Sequence, residues 1–535
     1  MNSDIESAAP HGATAQGPEK FDDPEKPRND SIRGLETSVE TSLHRELKAR
    51  HISMIAIGGA LGTGLLVGTG QALAESGPWS LLIAFLFMGA IIFMIMAAIG
   101  EIAAWLPLSA GFAGYATRYC HPALGFALGW TYWFNYALAA PDQLTAVALV
   151  IQFWVPRETV NPGVFIAIFI VMIFSINYFG GIKFFGEFEF WLSSFKVIVI
   201  VGIILLSLVI ACGGGPSGEA TGFSPLGKFL GFWSVMVNAT FAYLGTELVG
   251  TTAAEAKNPR RSIPKAIRIT FYRILFFYCL SIFLPASQLR EPMQARSAKV
   301  AGIKVLPHII NACICMFVFS ASNSDLYIGS RKLYGLASDR AAPAIFKRTD
   351  RRGVPWVALL ACTSFALLAF MNVSDDSRSV FKHLINVCTV LGLLTWISIL
   401  VTHIRFVSGR RAKGILDSAM PYTAPQGIWG SYAAIVVCII VALTKSYGVF
   451  IPQGKPFDYA SFITGYIGIP VYLVLLFGHM LTQKSKLVKI EDMDFFTGKD
   501  IVDRYEAEFL DEEAARDGRN SKWVKVYNRT LAWLF

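Results

Sequence analysis

Leu61-Gly62-Thr63-Gly64-Leu65 and Leu244-Gly245-Thr246-Glu247-Leu248 agree at four of five positions, and each pentapeptide interrupts a long apolar run. Reading outward from them decides the fold. The neighbouring runs are long enough to span a bilayer: Leu81–Ile99 passes nineteen positions without a charge, and Val197–Cys212 passes sixteen. In lipid only a helix of this kind satisfies its own backbone hydrogen bonds. Glycine-rich interruptions inside two such helices mark places where the backbone leaves the helical ladder.

Composition agrees. Of 535 residues, 54% are hydrophobic and 16% charged, against about 25% charged in a soluble domain. The chain is thus expected to be an all-α polytopic membrane protein embedded in the lipid bilayer. Twelve spans are expected, near 51–72, 79–105, 123–154, 162–180, 189–211, 229–252, 271–285, 304–336, 354–372, 382–404, 428–447 and 460–482. Basic residues cluster after alternate spans: Lys257, Arg260, Arg261, Lys265 and Arg268 after the sixth, Lys347 to Arg352 after the eighth, Arg405 to Lys413 after the tenth. That bias places the even-numbered loops and both termini in the cytosol. It also accounts for the net charge of +9 without nucleic acid. The seventh span is short, because Pro285 and the polar stretch Ser287–Lys299 follow an uninterrupted run of only Ile274–Leu284. Dropping it would invert every later loop, so it is counted as a crossing. Residues 1–48 read as a disordered cytosolic tail, 49–482 as the membrane domain and 483–535 as a cytosolic C-terminal tail.

The two interrupted helices lie five spans apart and, by the charge bias, run antiparallel. Glycine-broken helices at corresponding places in two inverted halves point to a secondary transporter's binding site. Tight packing through small residues is the competing explanation. If both helices unwind, the outer half of the first begins near Thr63 and Gly64 and aims free N–H groups at the midplane, a site for a carboxylate. The outer half of the sixth ends near Leu244 and leaves carbonyls for an ammonium group. Such a pair fits an α-amino acid.

Ionisable residues within spans supply further candidates, being costly in lipid. Lys196 is read either as part of a relay or as a side chain snorkelling to the cytosolic face. Glu247 stands at the proposed break. Asp142 and Glu101 read as paired structural carboxylates. Asn323 and Ser324, beside Asp325, could meet substrate or a coupling ion, or act as polar glue between helices. The eight cysteines read as buried free thiols, since Cys313 and Cys315 lack the spacing of a zinc site.

With these residues in view, the chain resembles a fungal amino acid permease of the amino acid–polyamine–organocation superfamily. The resemblance rests on Leu47-Lys-Ala-Arg-His-Ile-Ser-Met-Ile-Ala-Ile-Gly-Gly-Ala-Leu-Gly-Thr-Gly-Leu, Phe185-Gly-Glu-Phe-Glu-Phe-Trp, Gly245-Thr-Glu-Leu-Val-Gly, Glu255-Ala-Lys-Asn-Pro-Arg-Arg-Ser-Ile-Pro-Lys-Ala-Ile and Ser320-Ala-Ser-Asn-Ser-Asp-Leu-Tyr. It implies a LeuT-like 5+5 inverted repeat plus two helices, a plasma-membrane address, and amino acid uptake coupled to H+ with no other cofactor. It also implies a substrate site at Ala60, Gly62, Thr63, Gly64, Phe241, Leu244 and Gly245, with Phe241 covering the substrate. Lys196 matches a lysine that replaces a sodium ion in proton-coupled relatives, and Glu247 matches a gating position. Lys304-Val-Leu-Pro-His-Ile-Ile-Asn-Ala-Cys, Phe370-Met-Asn-Val-Ser and Phe457-Asp-Tyr-Ala-Ser-Phe-Ile-Thr-Gly-Tyr look most like the dicarboxylic (acidic) amino acid permeases. Around 281–303 the chain departs from that pattern, where relatives complete a longer seventh helix.

Neutral, basic or general amino acid transport, exchange without proton movement, and a non-transporting amino acid receptor are the alternatives. An enzyme is not expected, for want of a nucleotide loop, metal constellation or nucleophile motif. In the C-terminal tail, Lys499–Ala514 is acidic with Ile501, Tyr505, Phe509 and Leu510 at helical spacing, which reads as a solvated helix. Lys20 and Lys26 are candidate ubiquitination sites that would engage trafficking machinery.

Overall fold

The computed structural model describes residue 64, residues 78–108, 110–211, 229–247, 260, 263–265, 267, 272, 276, 305–374, 377–450 and 457–519. Helices make up its regular structure. They are α1 (Pro78–Trp105), α2 (Phe112–Tyr119), α3 (Pro122–Ile151), α4 (Pro162–Phe179), α5 (Gly181–Ala211), α6 (Phe229–Tyr243), α7 (Leu306–Ser338), α8 (Trp356–Ala366), α9 (Ser377–Ala412), α10 (Gly427–Thr444), α11 (Tyr459–Tyr466), α12 (Gly468–Gln483) and α13 (Lys499–Arg519). A 3-10 turn, Leu367–Val373, prolongs α8.

Nine stretches among the described residues are long and apolar enough to cross a membrane. They coincide with the second to fifth and eighth to twelfth expected spans. The first span, apart from Gly64, and the seventh lie outside the described residues, as does the expected disordered N-terminal tail. The sixth is described through Glu247. Helix starts follow local chemistry. Asn161 accepts from the Gly163 N–H and His121 from the Ala123 N–H, and in both helices the next residue is proline, whose missing N–H costs nothing at that position.

Burial sorts the helices. In α3 and α9 the apolar windows are 72% and 78% buried, whereas in the Tyr459–Gln483 span only 17% is. The outer helices turn Val171, Trp191, Ile198, Trp429, Val474 and Leu481 outward, the surface a bilayer would cover. α3 packs most extensively against α7 and α9, and these three form the centre on which α1, α5 and α6 lean.

Contacts between loops fix the topology. At one end, Trp154 donates to His308, Gln152 to Ser377 and Arg157 to the Val373 carbonyl. At the other, Arg352 donates to the Phe179 carbonyl, Trp130 to that of Ala341, and the Val488 N–H to that of Cys120. The latter end carries the clusters at 347–352 and 405–413, and is called here the basic end. Trp233 near the start of α6 reaches Thr444 at the far end of α10, whereas Ile263 and Ile267 pack beside Trp105 and Phe495 at the basic end. α7 starts at the opposite end, so Ile267 and Val305 stand at opposite ends of the bundle. The interval between them contains the short seventh run.

The basic end is closed by the segment after α12. Met493 and Phe495 are fully buried with Trp105, Tyr119 and Phe406. Trp105 donates to the Phe495 carbonyl and Lys413 to that of Met493. Arg118 reaches the carbonyls of Asp494 and Thr497 at 2.7 and 2.9 Å and pairs with the Asp494 carboxylate at 2.9 Å. Arg260 pairs with Asp503 and Glu506 of α13. The tail helix is therefore docked rather than solvated, and its buried apolar residue is Val502.

Candidate functional site

α6 stops at Tyr243, and Leu244 to Glu247 form a turn in place of another helical turn. The Leu244 N–H bonds the Phe241 carbonyl at 3.1 Å and the Thr246 N–H bonds that of Tyr243 at 3.3 Å. Gly245 has φ of 92°, a left-handed conformation that side chains disfavour. Its N–H points to the Glu247 carboxylate, 3.1 and 3.2 Å from the two oxygens. Glu247 thus closes the turn that breaks its own helix. It also accepts from Trp396 of α9 at 3.4 Å, and Tyr132 and Tyr136 of α3 lie within electrostatic range. Two of the carbonyls expected to face an ammonium group are already engaged by the turn: that of Tyr243 accepts from both the N–H and the hydroxyl of Thr246, whereas that of Phe241 takes one bond from the Leu244 N–H and retains a lone pair.

Gly64 meets this break from the other side. A methyl group on Gly64 would stand 2.6 Å from Ala242 Cα, 2.9 Å from Ala242 N and 3.0 Å from Phe241 Cδ1. Gly64 and the last turn of α6 therefore touch through backbone, which only glycine permits at that distance. Phe241 is 7% exposed and packs among Ala146, Val147, Val318, Phe381 and Cys388, while Leu244 presses on Gly392 of α9. Ala60, Gly62 and Thr63 lie outside the described residues.

Lys196 lies near the middle of α5 and is fully buried, which excludes a snorkelling side chain. Its ammonium stands 3.8 Å from Glu189 Oε1, two turns back on the same helix. That oxygen also accepts from Ser320 at 2.7 Å and Ser193 at 3.2 Å. Glu189 was not singled out from the sequence. The seven-residue spacing to Lys196, which puts both on one helix face, was the signal available.

Asn323 accepts from Asn177 of α4 at 2.9 Å, so it joins α4 to α7. Ser324 is buried on α7. Glu101 is paired as the sequence suggests: it takes bonds from Ala424 N, His403 and Arg410 at 2.9, 3.1 and 3.1 Å. Asp142 is different. Although fully buried, it has no hydrogen-bond partner at either carboxylate oxygen among the described residues. The expectation of a paired carboxylate fails there, because none of the described side chains or backbone groups packed around it donates to either oxygen.

A family model described as amino acid permease matches residues 51–491. The dicarboxylic amino acid permease of Saccharomyces cerevisiae is 47% identical over 535 residues, covering 92% of this chain and 87% of that protein. The lysine-specific permease of Lactococcus lactis is 38% identical over 491 residues, covering 87% and 95%. The proline-specific permease of Emericella nidulans is 34% identical over 539 residues, covering 94% and 95%. Among solved structures, the manganese transporter of Eremococcus coleocola matches with a TM-score of 0.53 at 13% identity, covering 85% of this chain and 98% of that one. That likeness concerns the fold alone, and it agrees with the LeuT-like arrangement.

Proposed function

Because the chain belongs to the amino acid permease family, we propose that it imports amino acids by proton symport across the plasma membrane, with acidic amino acids as preferred substrates. The observation that carries the transport reading is the contact between Gly64 and Ala242, which sets the first glycine motif against the last turn of α6, next to its break at Leu244. N–H groups at Thr63 and Gly64 would hold the substrate carboxylate. Remaining carbonyl lone pairs at the end of α6 would hold its ammonium, and Phe241 would cover it. Glu247 and Trp396 tie that site to α9, so substrate and the α6–α9 contact move together. Lys196 and Glu189 supply a buried pair whose separation would follow protonation.

The acidic preference rests on the 47% identity to the Saccharomyces cerevisiae dicarboxylic amino acid permease. The lysine-specific and proline-specific relatives keep basic and neutral amino acids as the second reading. Cytosolic termini are read from the charge bias of the loops, and the plasma-membrane address from membership of the amino acid permease family.

The test is uptake of labelled aspartate and glutamate in permease-deficient cells at two external pH values, with surface expression confirmed. Saturable accumulation that rises with acidity and collapses with a protonophore is expected. Normal surface expression with uptake of lysine or proline only would refute the acidic preference. Uptake indifferent to the protonophore would refute proton symport.

A further inference from the structure

Asp142 lies in the second half of α3, one of the central helices, with no exposed surface and no hydrogen-bond partner on either oxygen among the described residues. α7 brings Asp325 within electrostatic range of it. Asp325 takes one hydrogen bond from the Gln143 side chain, and its Oδ2 has no partner. Gln143, 7% exposed, keeps its Oε1 unpartnered as well. Four acceptor oxygens on these two packed helices thus have no hydrogen-bond partner among the described residues. Pro141 adds a fifth, since its nitrogen cannot bond the Ala137 carbonyl one turn earlier.

The other buried carboxylates are served differently. Glu101 has three donors, and Glu189 has Lys196, Ser193 and Ser320 on Oε1 while its Oε2 has no partner. Around the pair, Lys196 and Glu189 of α5 act on Asp325. Cys388 of α9 faces both aspartates, and Lys445 at the end of α10 acts on Cys388. Tyr132 and Tyr136 of α3 also feel Asp325. Asp325 is partly exposed, whereas Asp142, Glu189 and Glu247 are buried with Lys196 and Lys445, so ionising those three carboxylates would leave one negative charge uncompensated in the core. Unpaired buried charges of this kind are not sustained in a low-dielectric interior. A gathering of acceptors with no donor calls for a small cation.

We propose that Asp142 and Asp325 form a cation site at the α3–α7 interface, filled by a proton that accompanies substrate and is separate from the Lys196–Glu189 pair. The proposal rests on the proton-symport reading. The proton enters from the outer medium with the substrate and leaves to the cytosol after release, so Asp142 returns empty and one elementary charge moves per cycle through this site.

The experiment uses the full chain reconstituted in proteoliposomes, recording substrate-evoked charge and labelled aspartate flux together. Asp142→Asn keeps the side chain's volume and removes the titrating group. Its charge moved per substrate should fall by one elementary charge, and the acid stimulation of uptake should shrink several-fold. Replacing sodium by choline should leave the wild-type chain unaffected. A transport-competent Asp142→Asn with an unchanged ratio overturns the proposal, and a sodium requirement overturns the choice of proton. Wild-type uptake indifferent to a protonophore would instead overturn symport itself. Should Asp142→Asn and Asp325→Asn both fail to fold, infrared spectra of the wild-type chain decide. A protonated-carboxyl band that shifts on substrate binding supports the site, and its absence at every pH of stable folding refutes it.

Discussion

Replacing Gly64 by alanine probes the contact between the first glycine motif and the last turn of α6. The added Cβ would lie 2.6 Å from Ala242 Cα and 2.9 Å from Ala242 N. Carbon atoms in contact ordinarily sit about 3.5–4.0 Å apart, so the two backbones must separate by about 1 Å. The obstacle is main chain rather than a side chain that could swing aside. Overpacking of this kind costs about 1–3 kcal/mol, equivalent to about a 5- to 150-fold change in an equilibrium constant. The loss should fall on substrate affinity, because the displaced atoms belong to the proposed site. Uptake kinetics normalised to surface protein should show KM raised about tenfold or more. Gly202→Ala in α5 is the control, since nothing lies within 4 Å of its added methyl. It should transport normally. Wild-type KM in Gly64→Ala would refute the claim that Gly64 and the last turn of α6 meet through backbone.

The Lys196–Glu189 pair should behave as a buried ion pair: Lys196→Met alone should destabilise by about 3–5 kcal/mol, whereas Lys196→Met with Glu189→Gln should recover much of the loss. Thermal melting of the purified variants checks the coupling. Arg118→Ala removes two carbonyl contacts and one ion pair to the tail, so hydrogen exchange should quicken through 488–503 while exchange in α3 stays slow. For Asp494, burial raises the carboxyl's pKa, but bonds from Thr497 and Phe496 together with Arg118 outweigh it and hold the value below the usual carboxylate range. Asp503 is held low in the same direction: its burial is outweighed by Lys499 and Arg260. A depressed value in the folded chain gives stability that is complete above the unfolded pKa of about 3.9 and is lost as pH falls through the folded value. Tail docking followed by exchange should therefore be constant from neutral pH down to about 4 and weaken below that.

Much of the fold was readable because lipid imposes a single rule on every span. The nine apolar helices among the described residues stand where continuous apolar sequence placed them, and the break after Tyr243 stands beside Gly245. The span boundary at α5 was misjudged for a physical reason. Glu187 and Glu189 interrupt the apolar pattern, so the expected span began at 189, which left Lys196 near an end and open to snorkelling. The helix in fact begins at Gly181, which puts Lys196 close to its centre. Asp142 was read as paired because most buried carboxylates are. Sequence could not show that the elements packed around it supply no donor. The docked tail was hidden for another reason: Met493 and Phe495 bury against residues some ninety to four hundred positions away, and no local periodicity encodes such a partnership.

That tail is also the last part of the membrane domain's surroundings to be synthesised. Its anchors come from Trp105, Arg118, Arg260, Arg405 and Lys413, which belong to early, middle and late stretches of the chain. It can seat only when all of them face the same side at once. Seating therefore requires that the helices bearing these anchors share one sidedness. A chain in which Ile267 and Val305 stood at the same end would leave its later anchors on the wrong side of the bilayer from Arg260. Met493 and Phe495 would then stay uncovered, presenting an apolar tag by which misassembled copies could be told from finished ones.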